Sequence, residues 1–415
     1  MFILGYVILT IVSFAIAAFL KINLKFKIWI LAILMGLFGY FIVPSVTSKI
    51  DALPYLYTLN AVRAKLYTKG VSAAWNMLAI GGGETIGKVS TSIGFRPMTF
   101  QATPVMGIVM FTCAFFPNPF FLFIVAFIDY FFALKIIELI VKKNNLSNLD
   151  FALTYLVFMC LFVYTNAVGG VRNNLVGTIY AYVYLHYIEK KPKIISCSTI
   201  WLILMASILS LIHPFTIILF VFSMFSLILN KVWQLRLVNV LLLFQRFFQQ
   251  RLLTFIKPLS VIPFVGSILL KSDQHLGENI TLFISSRANW IRDFARLFVM
   301  IAILILVRKK CRTMIGNTYI EFIIMLICYA VGSIQDQVIF ERCLLVLLPM
   351  MLPILTCLPS LTFNGLHQFT STDMIKFLLL ISLVVYISIC FIDNLRAGEL
   401  YYTFLFNSSP VISGF

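Results

Sequence analysis

Long runs of apolar residues, separated by short polar stretches, dominate the sequence. A helix needs roughly 20 apolar residues to cross the hydrocarbon core of a bilayer. Runs of about that length begin at Met1, Ile28, Phe120, Phe151, Val171, Ile194, Pro214, Arg296, Tyr319, Phe340 and Ile375. Basic residues and a proline interrupt the run over 232–270, so its relation to the membrane stays open. The pattern predicts an all-α, polytopic integral membrane protein, with one transmembrane domain over 1–415 and about 11 to 14 transmembrane helices.

Composition supports this class. Of the 415 residues, 61% are hydrophobic and 11% are charged, and the mean hydropathy is +1.01. A soluble domain carries roughly 25% charged residues, and a single aqueous core could not bury so much apolar surface. The composition therefore excludes a soluble enzyme, a disordered chain and a disulfide scaffold.

The net charge of +17 has two readings. Cytoplasmic loops of membrane proteins are rich in Lys and Arg, and such loops account for an excess of basic residues. Alternatively, part of the excess lines a cavity for an anionic substrate. Binding to nucleic acid is disfavoured, because no stripe of Lys and Arg follows a polar face.

The basic clusters predict the orientation of the chain. They comprise Lys21, Lys25 and Lys27, then Lys142 and Lys143, then Lys190, Lys191 and Lys193, and finally Arg308, Lys309, Lys310 and Arg312. With these clusters in the cytoplasm, the opposite, outer face carries the regions around Asp51, Arg172 and His213, and the stretches 271–292 and 335–342.

Two long stretches are predicted on the outer face. The first, over 47–101, contains an amphipathic helix from Tyr55 to Tyr67, and the second covers 271–293. The apolar segment from Thr103 to Phe116 is expected to be short or re-entrant. It ends at Pro117-Asn118-Pro119, a sequence typical of a turn.

Ionisable residues at the edges of apolar runs are the candidates for chemistry, because charge within a membrane is costly and usually faces a cavity. They are Arg172, His213, Asp336, Arg342 and the spaced set Arg287, Arg292 and Arg296. Structural alternatives stay open: anchors at the membrane interface, a polar helix end, or a solvated loop face.

No cofactor or metal is predicted. Gly82 to Lys88 approaches a phosphate-binding loop, but Val89 stands where that motif needs Ser or Thr. The four histidines lack the spacing of a metal site, and no Asp-x-Asp pair is present.

The order of these residues resembles the EpsG/Wzy-type polysaccharide polymerases, membrane glycosyltransferases that elongate bacterial surface polysaccharides. Gly-Val-Arg172 opens a long run that ends in Glu-Lys-Lys-Pro-Lys193, a further run leads to His213, and a later run starts at Phe-Glu-Arg342. Asp51 and Tyr55 occupy the place of an acidic residue and a nearby Tyr in the family's first outer loop. Two features depart from the family's pattern: the nearest Arg after Asp51 is Arg63, and Asn173-Asn174 replaces the commoner polar-small pair.

The resemblance implies a GT-C-like enzyme of the bacterial cytoplasmic (inner) membrane, with its active site on the outer face. Its substrate is a polyprenyl-diphosphate-linked oligosaccharide, its surroundings are the lipid bilayer, and a chain-length regulator is a further partner to consider. The leaving diphosphate needs fixed cations, and the planar fork of Arg suits it. We therefore assign the diphosphate to Arg172 and Arg342, with help from Arg287 and Arg292. His213 is the candidate base or hydrogen-bond partner, Asp51 and Asp336 are the alternative bases, and Tyr55 and Asn173 are further substrate contacts.

Two other functions use similar residues. A flippase for the same lipid-linked sugars also needs a cationic cavity, although its charges would lie deep in several spans and not at one face. A polysaccharide ligase uses nearly the same chemistry with another acceptor, so sequence does not separate it from a polymerase.

Overall fold

The structure, a computed structural model, describes residues 1–45, 52–79, 98, 100–101, 103–190, 196–229, 231–245, 287–334, 336–359 and 371–408. The first half of the described chain is helical apart from one short strand. Its elements are α1 Phe2–Phe19, α2 Leu24–Phe41, β1 Ile42–Pro44, α3 Ala52–Ala79, α4 Pro104–Cys113, α5 Asn118–Lys143, α6 Asn148–Leu161, α7 Tyr164–Gly169 and α8 Val171–Glu189.

The second half follows the same pattern. Its elements are α9 Cys197–Ser210, α10 Phe215–Ile228, α11 Val232–Leu243, α12 Arg287–Met314, α13 Asn317–Gly332, α14 Gln337–Met350, α15 Leu352–Leu355, α16 Ser371–Tyr401 and β2 Tyr402–Phe404. A short 3₁₀ turn over Leu405–Asn407 follows β2.

Local sequence explains where several helices begin. The Asn23 side chain accepts from the Lys25 amide before α2, and Ser147 and Asp150 cap α6 reciprocally. The Asp336 side chain accepts from the Ile339 amide before α14. These polar residues occupy gaps between apolar runs, so the ends of several helices could be read from the sequence.

The fold is that of an all-α membrane protein in the described chain. Among the described residues, four helices are long and apolar enough to cross a bilayer: Phe2–Phe19, Leu24–Phe41, Asn118–Lys143 and Phe377–Tyr401 within α16. Six shorter apolar helices accompany them, namely α4, α6, α9, α10, α11 and α13. The larger number of spans expected from the sequence, and the GT-C-like arrangement, stay predictions.

Some segments differ from expectation. The helix expected over 55–67 is longer and runs over Ala52–Ala79, with non-helical backbone at Gly70, where φ is 81°. The end of the stretch 271–293 is helical, because α12 begins at Arg287. The apolar segment before Pro117 is short as predicted, since α4 ends at Cys113.

Close helix contacts depend on glycines at two positions. A Cβ atom added at Gly39 of α2 would lie 2.8 Å from the Leu122 carbonyl oxygen of α5, and one at Gly177 of α8 would lie 2.8 Å from Pro349 Cγ of α14. In a bilayer, small residues let helices approach closely and gain dispersion contacts. These contacts bring α2 against α5, and α8 against α14.

Three helices that end in basic sequence, α5, α8 and α12, finish at one end of the described bundle. Lys143 Nζ is 4.0 Å from Glu189 Oε1, and Asn144 Nδ2 donates to the Met314 carbonyl at 3.5 Å. The last residues of α5, α8 and α12 therefore meet at this end. That this end faces the cytoplasm stays a prediction.

The opposite end gathers the starts of other helices. The ring of Phe294 near the start of α12 lies 5.7 Å from that of Phe340 at the start of α14. The ring of Phe215 at the start of α10 lies 6.2 Å from that of Tyr329 near the end of α13. We call this the α14-start end; it carries most of the predicted site residues that the structure describes.

Candidate functional site

A cleft lies between α12, α14 and α16, and residues of α6, α7 and α15 complete its wall. Its empty volume is about 580 Å³, including space open to the outside. Most lining side chains are apolar, such as Val299, Met300, Leu345 and Leu348. The polar part of the wall consists of Asn166, Arg296, Tyr386, Cys390 and Asn394. The cleft is thus an apolar space with one cation in its wall.

The cation in the wall belongs to an ion cluster at the start of α12. Arg296 Nη1 lies 3.6 Å from Asp293 Oδ1, and Arg292 Nε lies 3.7 Å from the same oxygen. Asp293 is 3% exposed, whereas the Arg292 side chain is about half exposed. The cluster carries two positive charges and one negative charge, so it offers a net positive site beside the cleft.

Asp293, which precedes the predicted span, has a perturbed carboxyl group. Burial raises the pKa of Asp293, and the guanidinium groups of Arg296 and Arg292 oppose this shift. The nearby carboxylate of Glu341 on α14 also raises the pKa of Asp293. Burial is the larger effect, so the pKa of Asp293 stays raised despite the two guanidinium groups beside it.

The start of α8 adjoins the same cleft through two contacts. Asn174 Nδ2 donates to the carbonyl oxygen of Asn166, which lines the cleft. A Cβ atom at Gly170 would lie 3.0 Å from Leu345 Cδ1, another lining residue. Arg172 is the second residue of α8 and is partly exposed, while Asn173 is buried with its Oδ1 atom unpaired among the described residues. Arg172 thus lies near the cleft without lining it.

Asp336, a candidate base, also has a structural role. One carboxylate oxygen accepts the Ile339 amide at 3.1 Å and caps α14. The other oxygen, Oδ2, is buried with no partner in the part of the chain that the structure describes. Arg342 lies between Asp336 and Leu345 on α14 and is partly buried. Asp336 therefore caps α14 with one of its two carboxylate oxygens.

His213 lies in the turn between α9 and α10. Its Nδ1 atom accepts the Phe215 amide at 3.1 Å, and its carbonyl accepts the Thr216 hydroxyl at 2.9 Å. An Nδ1 atom that accepts cannot carry the proton, so the neutral ring has its hydrogen on Nε2. This geometry favours a hydrogen-bond donor over a general base, and His213 does not line the cleft.

Tyr55 and Arg63 of α3 serve packing. Tyr55 is 3% exposed, and its ring lies 5.5 Å from that of Phe121. Arg63 Nε donates to the Ala114 carbonyl at 3.1 Å, and Nη2 donates to the Phe116 carbonyl at 2.5 Å and to Asn118 Oδ1 at 3.1 Å. The guanidinium joins α3 to the turn before α5, and these donors are unavailable to a phosphate.

Several candidates cannot be placed. Asp51, the glycine-rich stretch 81–88 and the stretch 271–286 lie outside the described residues. The backbone of Arg287 begins α12, and its side chain lies outside the described part. Within the described part, no group of three or more His, Cys, Asp or Glu side chains could hold a metal ion.

Sequence reasoning missed the cleft itself and most of its polar wall. Arg296 was recognised only as a member of a spaced set, and Tyr386, Asn166 and Asn394 belonged to no motif found in the sequence. Asp129 did carry a signal, as an acidic residue inside the run that begins at Phe120. It is fully buried in α5.

Comparisons with known proteins complete the description of the site. No family model matches the chain, and neither a curated protein nor a solved structure matches it.

Proposed function

We propose that the chain is a polysaccharide polymerase of a bacterial cytoplasmic membrane, which joins polyprenyl-diphosphate-linked oligosaccharide repeat units on the outer face. The observation that carries this proposal is the apolar cleft with Arg296 in its wall. The apolar wall suits a prenyl chain, and the guanidinium suits a diphosphate. The resemblance in the order of Arg172, His213 and Arg342 supports the same reaction class.

The proposed reaction transfers the growing chain from its lipid diphosphate to a hydroxyl of the next unit. The hydroxyl oxygen forms a bond to the anomeric carbon, the bond from that carbon to the diphosphate oxygen breaks, and the diphosphate leaves with its lipid. A base takes the hydroxyl proton. The diphosphate gains negative charge as it leaves, so fixed cations stabilise the transition state more than the ground state.

We assign the residues as follows. Arg296 binds the leaving diphosphate from the cleft wall, and Arg292, Arg172 and Arg342 strengthen the positive field around it. Asp293 is a positioning residue, because its carboxylate lies between the Arg296 and Arg292 guanidinium groups. Asp336 and Asp51 stay the proposed bases, and His213 is a hydrogen-bond donor.

The test is an elongation assay on the full chain in nanodiscs. Lipid-diphosphate-linked repeat units are supplied without nucleotide or metal, and the products are sized on a gel. We expect a ladder for the wild type and its loss in Arg172→Ala and Arg296→Ala. Lys231→Ala is the matched control, because Lys231 is an exposed cation before α11 and lies outside both the ion cluster at the start of α12 and the start of α8.

Near-normal chain lengths in both Arg variants would contradict the proposed site. No ladder from folded wild-type protein with authentic substrate would contradict the polymerase itself. Movement of the same lipid across vesicles would then favour a flippase, and transfer of finished polysaccharide to another acceptor would favour a ligase.

A further inference from the structure

A carboxyl group lies in the middle of a helix that is long and apolar enough to span a membrane. Asp129 belongs to α5 and is 0% exposed. Its Oδ1 atom lies 2.9 Å from Thr178 Oγ1 of α8. Its Oδ2 atom is buried with no hydrogen-bond partner among the described residues. An ionised carboxylate with one neutral partner is very costly in such surroundings.

The Thr178 hydroxyl has fewer hydrogens than acceptor atoms within reach. A hydroxyl group carries one hydrogen, yet Thr178 Oγ1 has three acceptors within reach: Asp129 Oδ1 at 2.9 Å, the Asn174 carbonyl at 3.0 Å and the Leu175 carbonyl at 3.3 Å. When Thr178 donates to Asp129, it gives up the bond to its own helix. The contact therefore has more acceptors than hydrogens.

One added proton removes this shortage. With a hydrogen on Oδ1, Asp129 donates to Thr178 Oγ1, and Thr178 donates to the Asn174 carbonyl of its own helix. The remaining Oδ2 atom becomes a neutral carbonyl oxygen, whose burial without a partner costs far less than that of a charged oxygen. The α5–α8 contact then has no uncompensated charge.

Within the described chain, no charged group takes the place of the proton. None of the ion pairs in the described chain includes Asp129. The Lys27 ammonium of α2 donates to the Ala17 carbonyl at 3.0 Å, which directs its charge toward α1. Other charged or titratable groups lie on α5 and on the described elements around it: Tyr6, Lys25, Tyr40, Tyr55, Tyr57, Arg63, Lys65, Tyr67, Lys69, Cys113, Tyr130, Lys135, Glu138, Lys142, Lys143, Asp150, Tyr155, Cys160, Tyr164, Arg172, Tyr180, Tyr182, Tyr184, His186, Tyr187 and Glu189. Of these, Lys135 and Lys142 pair with Glu138, and Arg63 binds the turn before α5.

We propose that Asp129 is an intramembrane proton-binding site, and that its bound proton completes the hydrogen bonds between α5 and α8. The site is linked to the cleft, because Asn174, whose carbonyl accepts from Thr178, also donates through Nδ2 to the carbonyl of the cleft residue Asn166. Loss of the proton leaves a buried negative charge at the helix contact beside the cleft. The proposal does not depend on the polymerase reaction.

Infrared difference spectroscopy tests the proposal directly, since protonated carboxyl and carboxylate groups absorb in separate bands. The full chain is purified in a detergent without ester groups and measured at about pH 7, where an unperturbed Asp with a pKa near 4 is ionised. The wild type is compared with Asp129→Asn and Thr178→Val. Asp150→Asn is the control, because Asp150 caps α6 and is partly exposed.

We expect the carbonyl band of a protonated carboxyl group in the wild type, its loss in Asp129→Asn and a shift of its frequency in Thr178→Val. Asp150→Asn should remove carboxylate absorption only. Loss of carboxylate absorption in Asp129→Asn, or absence of the protonated band from the wild type, would overturn the proposal. The Thr178→Val shift keeps the test decisive if Asp129→Asn does not fold.

Discussion

Replacing Arg296 with Met tests two roles of its guanidinium group: stabilising the buried Asp293 carboxylate and binding the diphosphate. Arg296 Nη1 lies 3.6 Å from Asp293 Oδ1. Two unit charges at that distance attract by about 4 to 5 kcal/mol at an effective dielectric constant of ~20. Arg292 stays 3.7 Å from the same oxygen, and about a fifth of the Arg296 side chain is exposed to solvent. Both conditions reduce the stability that is lost when Arg296 is replaced. We expect Arg296→Met to lower the free energy of unfolding by about 3 kcal/mol, the low end for breaking a buried pair.

The double variant Arg296→Met/Asp293→Asn removes the carboxylate that the single variant leaves uncompensated. We expect it to recover most of the lost stability, because a neutral amide is buried at lower cost than an unpaired charge. Polymerase activity should stay at least about 100-fold below that of the wild type, the usual effect of losing one group that stabilises transition-state charge.

Two measurements check this reasoning: the thermal midpoint in detergent, followed by intrinsic fluorescence, and the elongation assay normalised to folded protein. The single variant should lose both stability and activity, and the double variant only activity. Wild-type ladders from the double variant would refute a role for Arg296 in binding the diphosphate, and would reduce it to a structural counter-ion of Asp293.

Three further predictions concern other parts of the fold. Asp336→Asn keeps the cap of α14, so its midpoint should be unchanged while elongation falls. Asp336→Ala should in addition lower the free energy of unfolding by about 1 kcal/mol, because it removes the cap of α14. Normal elongation by Asp336→Asn would exclude Asp336 as a base. Arg63→Ala should cost about 3 kcal/mol in a thermal melt with normal activity per folded molecule, and a specific loss of activity would contradict its packing role. Gly177→Ala should lower the free energy of unfolding by about 1 to 3 kcal/mol, because its added Cβ atom would contact Pro349. Gly169→Ala is the control, because a Cβ atom there has no neighbouring atom within 4 Å. Equal thermal midpoints for the two variants would refute close α8–α14 packing.

Much of the helical architecture followed from the sequence, because apolar runs and capping residues act locally. The turn at Pro117-Asn118-Pro119 and the break at Gly170 are examples, since each residue restricts its own backbone or fails to continue a helix. The length of α3 was underestimated, because the chain continues beyond Tyr67 through non-helical backbone at Gly70 into a further helical stretch that ends at Ala79. Local pattern sets the existence of a helix more reliably than its ends.

The candidate site could be predicted only in part. The edge position of Arg292 and Arg296 was visible, but their shared contact with a buried Asp293 depends on how α12 packs. Asn166 and Tyr386 line the same cleft although they are far apart in the chain, and no single-sequence pattern reports such a meeting. Asp336 was read as a base, whereas one of its oxygens caps a helix.

The small sheet constrains how the chain can be assembled during synthesis. β1 pairs antiparallel with β2, so that Ile42 faces Phe404 and Pro44 faces Tyr402. A ribosome releases the first of these segments long before the second, and α1 must wait for its contact with α16 in the same way. These contacts can therefore form only after α16 has been synthesised. Until then, the early helices need lipid or an insertase to cover the surfaces that α16 finally occupies, so truncation before β2 should expose α1 to membrane quality control.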